Sequence, residues 1–114
     1  MVKIYHNPRC KKSRAGLQYL QEKGIDPEVV EYLKNPVDEK ELKDILVKLN
    51  KKPQDIIRTQ EAVYKSEFKG REFTEDEWVK ILTEYPKLIQ RPIVVKGYKA
   101  VIGDPVDQIE SLLT

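Results

Sequence analysis

At 114 residues the chain has the length of one ordinary domain and can bury a core without disulfide support. Its 21 basic and 19 acidic side chains leave a formal charge of +2, interspersed as on solvated helix faces, which argues against a nucleic-acid surface. One cysteine excludes an internal disulfide, one cysteine with one histidine falls short of a zinc ligand set, and no apolar run reads as a membrane span or signal peptide, so a reducing, cytoplasmic setting is expected.

Val2, Ile4 and Tyr5 predict a short first strand, ended by the turn signal Asn7-Pro8. A helix from about Lys11 to Lys23 follows, with Leu17 and Leu20 on one face and Gly24 as its stop. Val29 and Val30 mark a second strand, and this β-α-β start favours a parallel pair. Asp38 with Glu41 three residues on predicts a helix N-cap, followed by Leu42, Ile45, Leu46 and Leu49 at helical spacing. Thr74 and Glu77 form a capping-box pattern before Trp78, Ile81, Leu82 and Tyr85, and Pro86 stops that helix. The intervening Lys52 to Phe73 is less regular and predicts one or two short helices. Ile93-Val94-Val95 and Ala100-Val101-Ile102 flank Lys96-Gly97-Tyr98-Lys99 as a hairpin loop. Asp104-Pro105 then reads as N-cap and first residue of a last helix, with Val106, Ile109 and Leu113 facing inward. With no repeat, linker or composition break, residues 1–114 read as a single domain carrying a helical insertion at about 37–88. The order β-α-β, helical block, β-β-α is that of an α/β, thioredoxin-like fold.

The stretch "YHNPRCKKSR", Tyr5 to Arg14, holds both the cysteine and the histidine. Cys10 falls at a helix start, where unpaired N–H groups and the helix dipole favour a thiolate. Lys11, Lys12 and Arg14 add positive charge, Ser13 offers a hydroxyl, and His6 lies across the turn. These features suit a thiol of depressed pKa and an anionic substrate. A lone cysteine is also among the most buried residue types, and the local residues leave reactive thiolate and packed turn equally open. Ser13 stands where a redox pair of the C-x-x-C type needs a second cysteine, so any catalytic cycle takes its resolving thiol from outside the chain. Arginine forks suit an oxyanion, and two lie beyond this motif: Arg58 after Ile56-Ile57, and Arg91 before Pro92. The Arg91-Pro92 bond, opening a strand, is a candidate cis peptide. Taken singly, either arginine also fits a surface or ion-pair role.

"YHNPRCKKSR" resembles the active-site segment of the glutaredoxin-dependent arsenate reductases, whose pattern is H-N-P-x-C-x-x-S-R. "IIRTQE" and "LIQRPIVV" resemble that family's second and third arginine segments, and "EYLKNP" fits the stretch after its second strand. The resemblance runs from the first strand to the last helix and implies a thioredoxin-like domain with a helical insertion. It implies Cys10 as the nucleophile toward arsenate, with His6, Ser13 and Arg14 stabilising its thiolate. Arg58 and Arg91 would hold the oxyanion, while Asn7, Pro8 and a cis Pro92 shape the site. It further implies glutathione or a similar thiol as co-substrate, glutaredoxin as partner, no bound cofactor or metal, and a monomer. The serine at position 13 fits an external thiol supply and differs from the C-x-x-C of many Spx-type regulators. An ArsC-related redox or regulatory protein without arsenate activity, Spx-like or glutathione-handling, is the alternative. One position departs from the pattern: the family's third arginine, before a proline near the end of the fold, is Asp104 in "VIGDPVDQI". If Asp104 faces the site it weakens oxyanion affinity, with Arg9 or Lys12 as the cations that could compensate. If it caps the last helix, the substitution is structural.

Overall fold

A computed structural model describes all residues from Met1 to Thr114. The chain divides into two compact units, Met1–Asn35 with Arg91–Thr114, and the intervening Pro36–Gln90.

The first unit holds β1 (Val2–Tyr5), α1 (Lys11–Glu22), β2 (Glu28–Val30), β3 (Ile93–Lys96), β4 (Lys99–Ile102) and α4 (Glu110–Leu113). The strands form one sheet in the order β2-β1-β3-β4. β1 and β2 pair in parallel, joined by the crossover helix that parallel pairing requires, and the other two pairings are antiparallel. Ile4 lies opposite both Val29 and Val94, which fixes the register around a central strand. Val2, Ile4 and Val94 pack with Leu20 of α1 and with Ile109 and Leu112 from the C-terminal segment. Ile4, Leu20, Val94 and Ile109 are wholly buried, each contributing about 1.5–3 kcal/mol. α1 ends as the sequence predicts: Gly24 takes φ +76°, and Gly24 and Ile25 donate to the carbonyls of Gln21 and Leu20.

Two expectations in this unit need correction. The hairpin loop is only Gly97-Tyr98, because Lys96 and Lys99 still pair across the strands and Gly97 supplies the positive φ of a tight turn. Asp104 and Pro105 do not start the last helix. Their peptide bond is cis, Pro105 is extended, and the chain begins as a 3-10 turn over Val106–Ile109 before α4. Ile109 and Leu112 are buried, and Leu113, expected to face inward, is half-buried and packs against the same core.

The second unit holds α2 (Glu39–Leu49) and α3 (Glu75–Glu84), with a 3-10 turn at Pro53–Ile56, a π turn at Tyr64–Phe68 and a 3-10 turn at Pro86–Leu88. α2 buries Leu42, Ile45, Leu46 and Leu49, the face its spacing predicts. α3 buries Trp78, Val79 and Leu82, whereas Tyr85 is exposed and meets the Phe68 ring edge-on at 5.2 Å. Both helices start on side-chain caps. The Asp38 carboxylate accepts from the Glu41 N–H at 2.8 Å. The Thr74 hydroxyl accepts from the Glu77 N–H while the Glu77 carboxylate accepts from the Thr74 N–H.

Candidate active site

The loop from β1 to α1 is folded by its own polar groups. The His6 N–H extends the parallel ladder to the Val30 carbonyl at 2.8 Å. Asn7 then makes three bonds: its side-chain oxygen accepts from the Arg9 N–H, its carbonyl accepts from the Cys10 N–H, and its N–H donates to Ser13 Oγ. Such a turn is what asparagine before proline favours. Pro8 is exposed, and its carbonyl takes a 3.0 Å hydrogen bond from the Arg14 guanidinium.

Ser13 is wholly buried, and its Oγ lies 2.7 Å from His6 Nδ1. Because that oxygen already accepts from Asn7, using every group requires the hydroxyl to donate to Nδ1, with the imidazole proton on Nε2. Burial pushes the His6 pKa down, and Arg14 adds to this, against the raising influence of Glu31 and of a Ser13 hydrogen bond; the ring is held below its ordinary value. His6 is therefore neutral near pH 7 and fixes Ser13. The sequence puts His6 and Ser13 near the sulfur, and in the structure the His6 ring and the Ser13 hydroxyl have partners of their own. Both are spent on each other and on Asn7, and Ser13 reaches Cys10 through its backbone N–H. Arg14 likewise serves the Pro8 carbonyl and is not among the groups that set the thiol.

Cys10 occupies the residue before α1, in extended conformation, with its side chain leaving the helix N–H groups uncapped and no acid in the first turn. Burial pushes its thiol pKa up. Against this stand the Ser13 N–H, the Arg91 side chain with its charge, and the Lys12 N–H, all of which favour the thiolate, and the balance leaves the thiol below its ordinary value. Backbone N–H groups and a guanidinium that favour the charged sulfur are also the donor types that suit an oxyanion.

Arg91 is 9% exposed, and its bond to Pro92 is cis. Pro92 is seated by two glycines that sequence reasoning missed. A Cβ at Gly16, in mid-helix, would stand 2.7 Å from Pro92 Cγ, and one at Gly103 would stand 3.2 Å from it. The Gly103 N–H also donates to the Pro92 carbonyl at 2.8 Å. The available signal was Gly16 itself, since a mid-helix glycine costs about 1 kcal/mol relative to alanine and calls for a packing reason. Asp104 is not a cap: its carboxylate pairs with Lys12 Nζ at 3.0 Å, both side chains being partly exposed.

Arg58 belongs to the second unit. Residues 56–58 run antiparallel to 88–90 there, with the Arg58 N–H donating to the Leu88 carbonyl at 2.7 Å. Its Nε donates to Glu61 at 3.0 Å in a largely buried pair, which orients the guanidinium through one of its three nitrogens. No group of three or more His, Cys, Asp or Glu side chains is placed to hold a metal ion, and no helix is long and apolar enough to cross a membrane.

Comparison with known proteins gives a consistent answer. A model of the ArsC family matches residues 5–112. An arsenate reductase of Neisseria meningitidis is 41% identical, covering 98% of this chain and 97% of its own length. An Escherichia coli protein described as uncharacterised is 43% identical over 95% of this chain and 92% of its own length. The solved structure of an arsenate reductase from Vibrio cholerae superposes with a TM-score of 0.92 at 38% identity, covering 96% of this chain and 95% of that one.

Proposed function

The chain belongs to the ArsC family, and from that membership and the geometry around Cys10 we propose that it is an arsenate reductase. The observation that carries the reading is Cys10 standing in the cap position of the uncapped, acid-free start of α1, where nearby N–H groups and Arg91 hold its thiol below the ordinary value. A thiolate held there attacks the arsenic of arsenate, forming an As–S bond as one As–O bond breaks and its oxygen leaves, protonated, as water. The same donors stabilise the charge on the remaining oxygens. An external thiol such as glutathione then attacks the Cys10 sulfur. The S–As electron pair stays on arsenic, which leaves as arsenite, and the mixed disulfide is resolved by a further thiol carried by glutaredoxin. Two thiols thus supply the two electrons, in keeping with the serine at position 13. His6, Ser13 and Asn7 act as positioning residues for the loop, and Arg58, oriented through its Nε by Glu61, is the second arginine proposed to hold the oxyanion.

The test is a coupled assay of arsenate reduction with glutathione and glutaredoxin. Wild-type protein turns over and Cys10→Ser falls to background. Full activity in Cys10→Ser contradicts the reading. No wild-type turnover together with a stable glutathione adduct at Cys10 favours an ArsC-related redox protein without arsenate activity, a reading that draws on the carboxylate of Asp104 beside Lys12.

A further inference from the structure

Two separate contacts tie Asp104 to segments that flank Cys10. Asp104 lies 3.0 Å from the ammonium of Lys12, the residue whose N–H meets the sulfur. From the other side, neighbouring Gly103 is hydrogen-bonded at 2.8 Å to Pro92, which follows the Arg91 that also contacts the sulfur. Asp104 is therefore anchored to both the helix start and the Arg91-Pro92 segment that surround the thiol. An ion pair this exposed adds little to stability. Its consequence is electrostatic, because one ammonium of the first turn of α1 is neutralised by a carboxylate.

We infer that Asp104 sets the charge preference of the site: by pairing with Lys12 it withdraws that cation from Cys10 and disfavours multiply charged partners relative to singly charged or neutral ones. The inference rests on the reading of Cys10 as a reactive thiolate, and it narrows the oxyanion class to the monoanion. A carboxylate on the approach repels a dianion about twice as strongly as a monoanion, whereas an unpaired Lys12 would attract the dianion more.

The test compares alkylation of Cys10 by anionic iodoacetate and neutral iodoacetamide. Both reagents react with the same thiolate, so the ratio of their rates cancels any change in thiol ionisation and reports the local charge. Asp104→Asn is expected to raise the iodoacetate-to-iodoacetamide ratio about two- to fourfold at low salt, an effect lost at high salt. Lys12→Gln is expected to lower it by a similar factor. In the arsenate assay, Asp104→Asn lowers KM most at the pH where the dianion dominates and leaves kcat nearly unchanged. A ratio unmoved in Asp104→Asn, or unmoved or raised in Lys12→Gln, overturns the inference even where Cys10 is reactive. A wild-type Cys10 inert to both reagents overturns the thiolate reading beneath it. A reactive, charge-sensitive Cys10 with no arsenate turnover removes only the arsenate assignment.

Discussion

The start of α1 and the starts of α2 and α3 solve the same problem in opposite ways. Every helix begins with unpaired N–H groups and a partial positive charge. α2 and α3 neutralise theirs with Asp38 and Thr74 as caps and with Glu39, Glu41, Glu75, Asp76 and Glu77 in the first turns. α1 has no side-chain cap and no acid in its first turn, and a cysteine stands where the cap would be. Two starts are finished for stability. The third is left open, its N–H groups directed at a sulfur, and its stability comes from Leu20 in the core instead. The lesson is that an absent cap, seen beside two complete ones, singles out the start of α1 as the place to look for chemistry.

Breaking the open start has the largest effect. Arg91→Ala removes a side-chain donor and a charge from the sulfur and should lower kcat/KM for arsenate by about 10²-fold in the coupled assay. Gly16→Ala comes next. The added methyl meets Pro92 at 2.7 Å, so the overpacking should outweigh the gain in helix propensity and cost a net of about 1–2 kcal/mol in denaturant melts. Thr74→Ala should cost about 1 kcal/mol and leave Cys10 alkylation unchanged. Lys11→Glu, giving α1 the acid its counterparts have, should do the reverse: stability holds or rises slightly while alkylation at neutral pH slows about two- to fivefold. The smallest effect is on pH. His6 is lowered in the folded state, so as pH falls through about 6.5 the unfolded chain takes up a proton that the folded chain refuses, and stability is lost. His6→Asn should lose less melting temperature over the same acid range.

The finished starts were legible in the sequence because a cap and its partner sit three residues apart and carry their own geometry. Ser13 and Cys10 were legible for the same reason, as was the parallel pairing across α1. The misread places depend on groups distant in the chain or on backbone no local pattern encodes. Asp104-Pro105 satisfies the cap rule by residue type, yet its cis bond turns the chain away and the carboxylate meets Lys12 from the far end of the sequence. Leu113 faces the core as its spacing predicts, and Leu112 beside it is the more deeply buried of the two. Ser13 was identified by its hydroxyl, and that hydroxyl is bonded to His6 and Asn7, while its N–H is among the groups that lower the Cys10 thiol.

The central claim is that the open start of α1 holds Cys10 as a thiolate. The direct measurement is the pH dependence of iodoacetamide alkylation at Cys10, in the folded protein and in the same chain unfolded by denaturant. The account predicts a folded midpoint clearly below the unfolded one, with Arg91→Ala moving it back up. A folded midpoint equal to or above the unfolded one would contradict it.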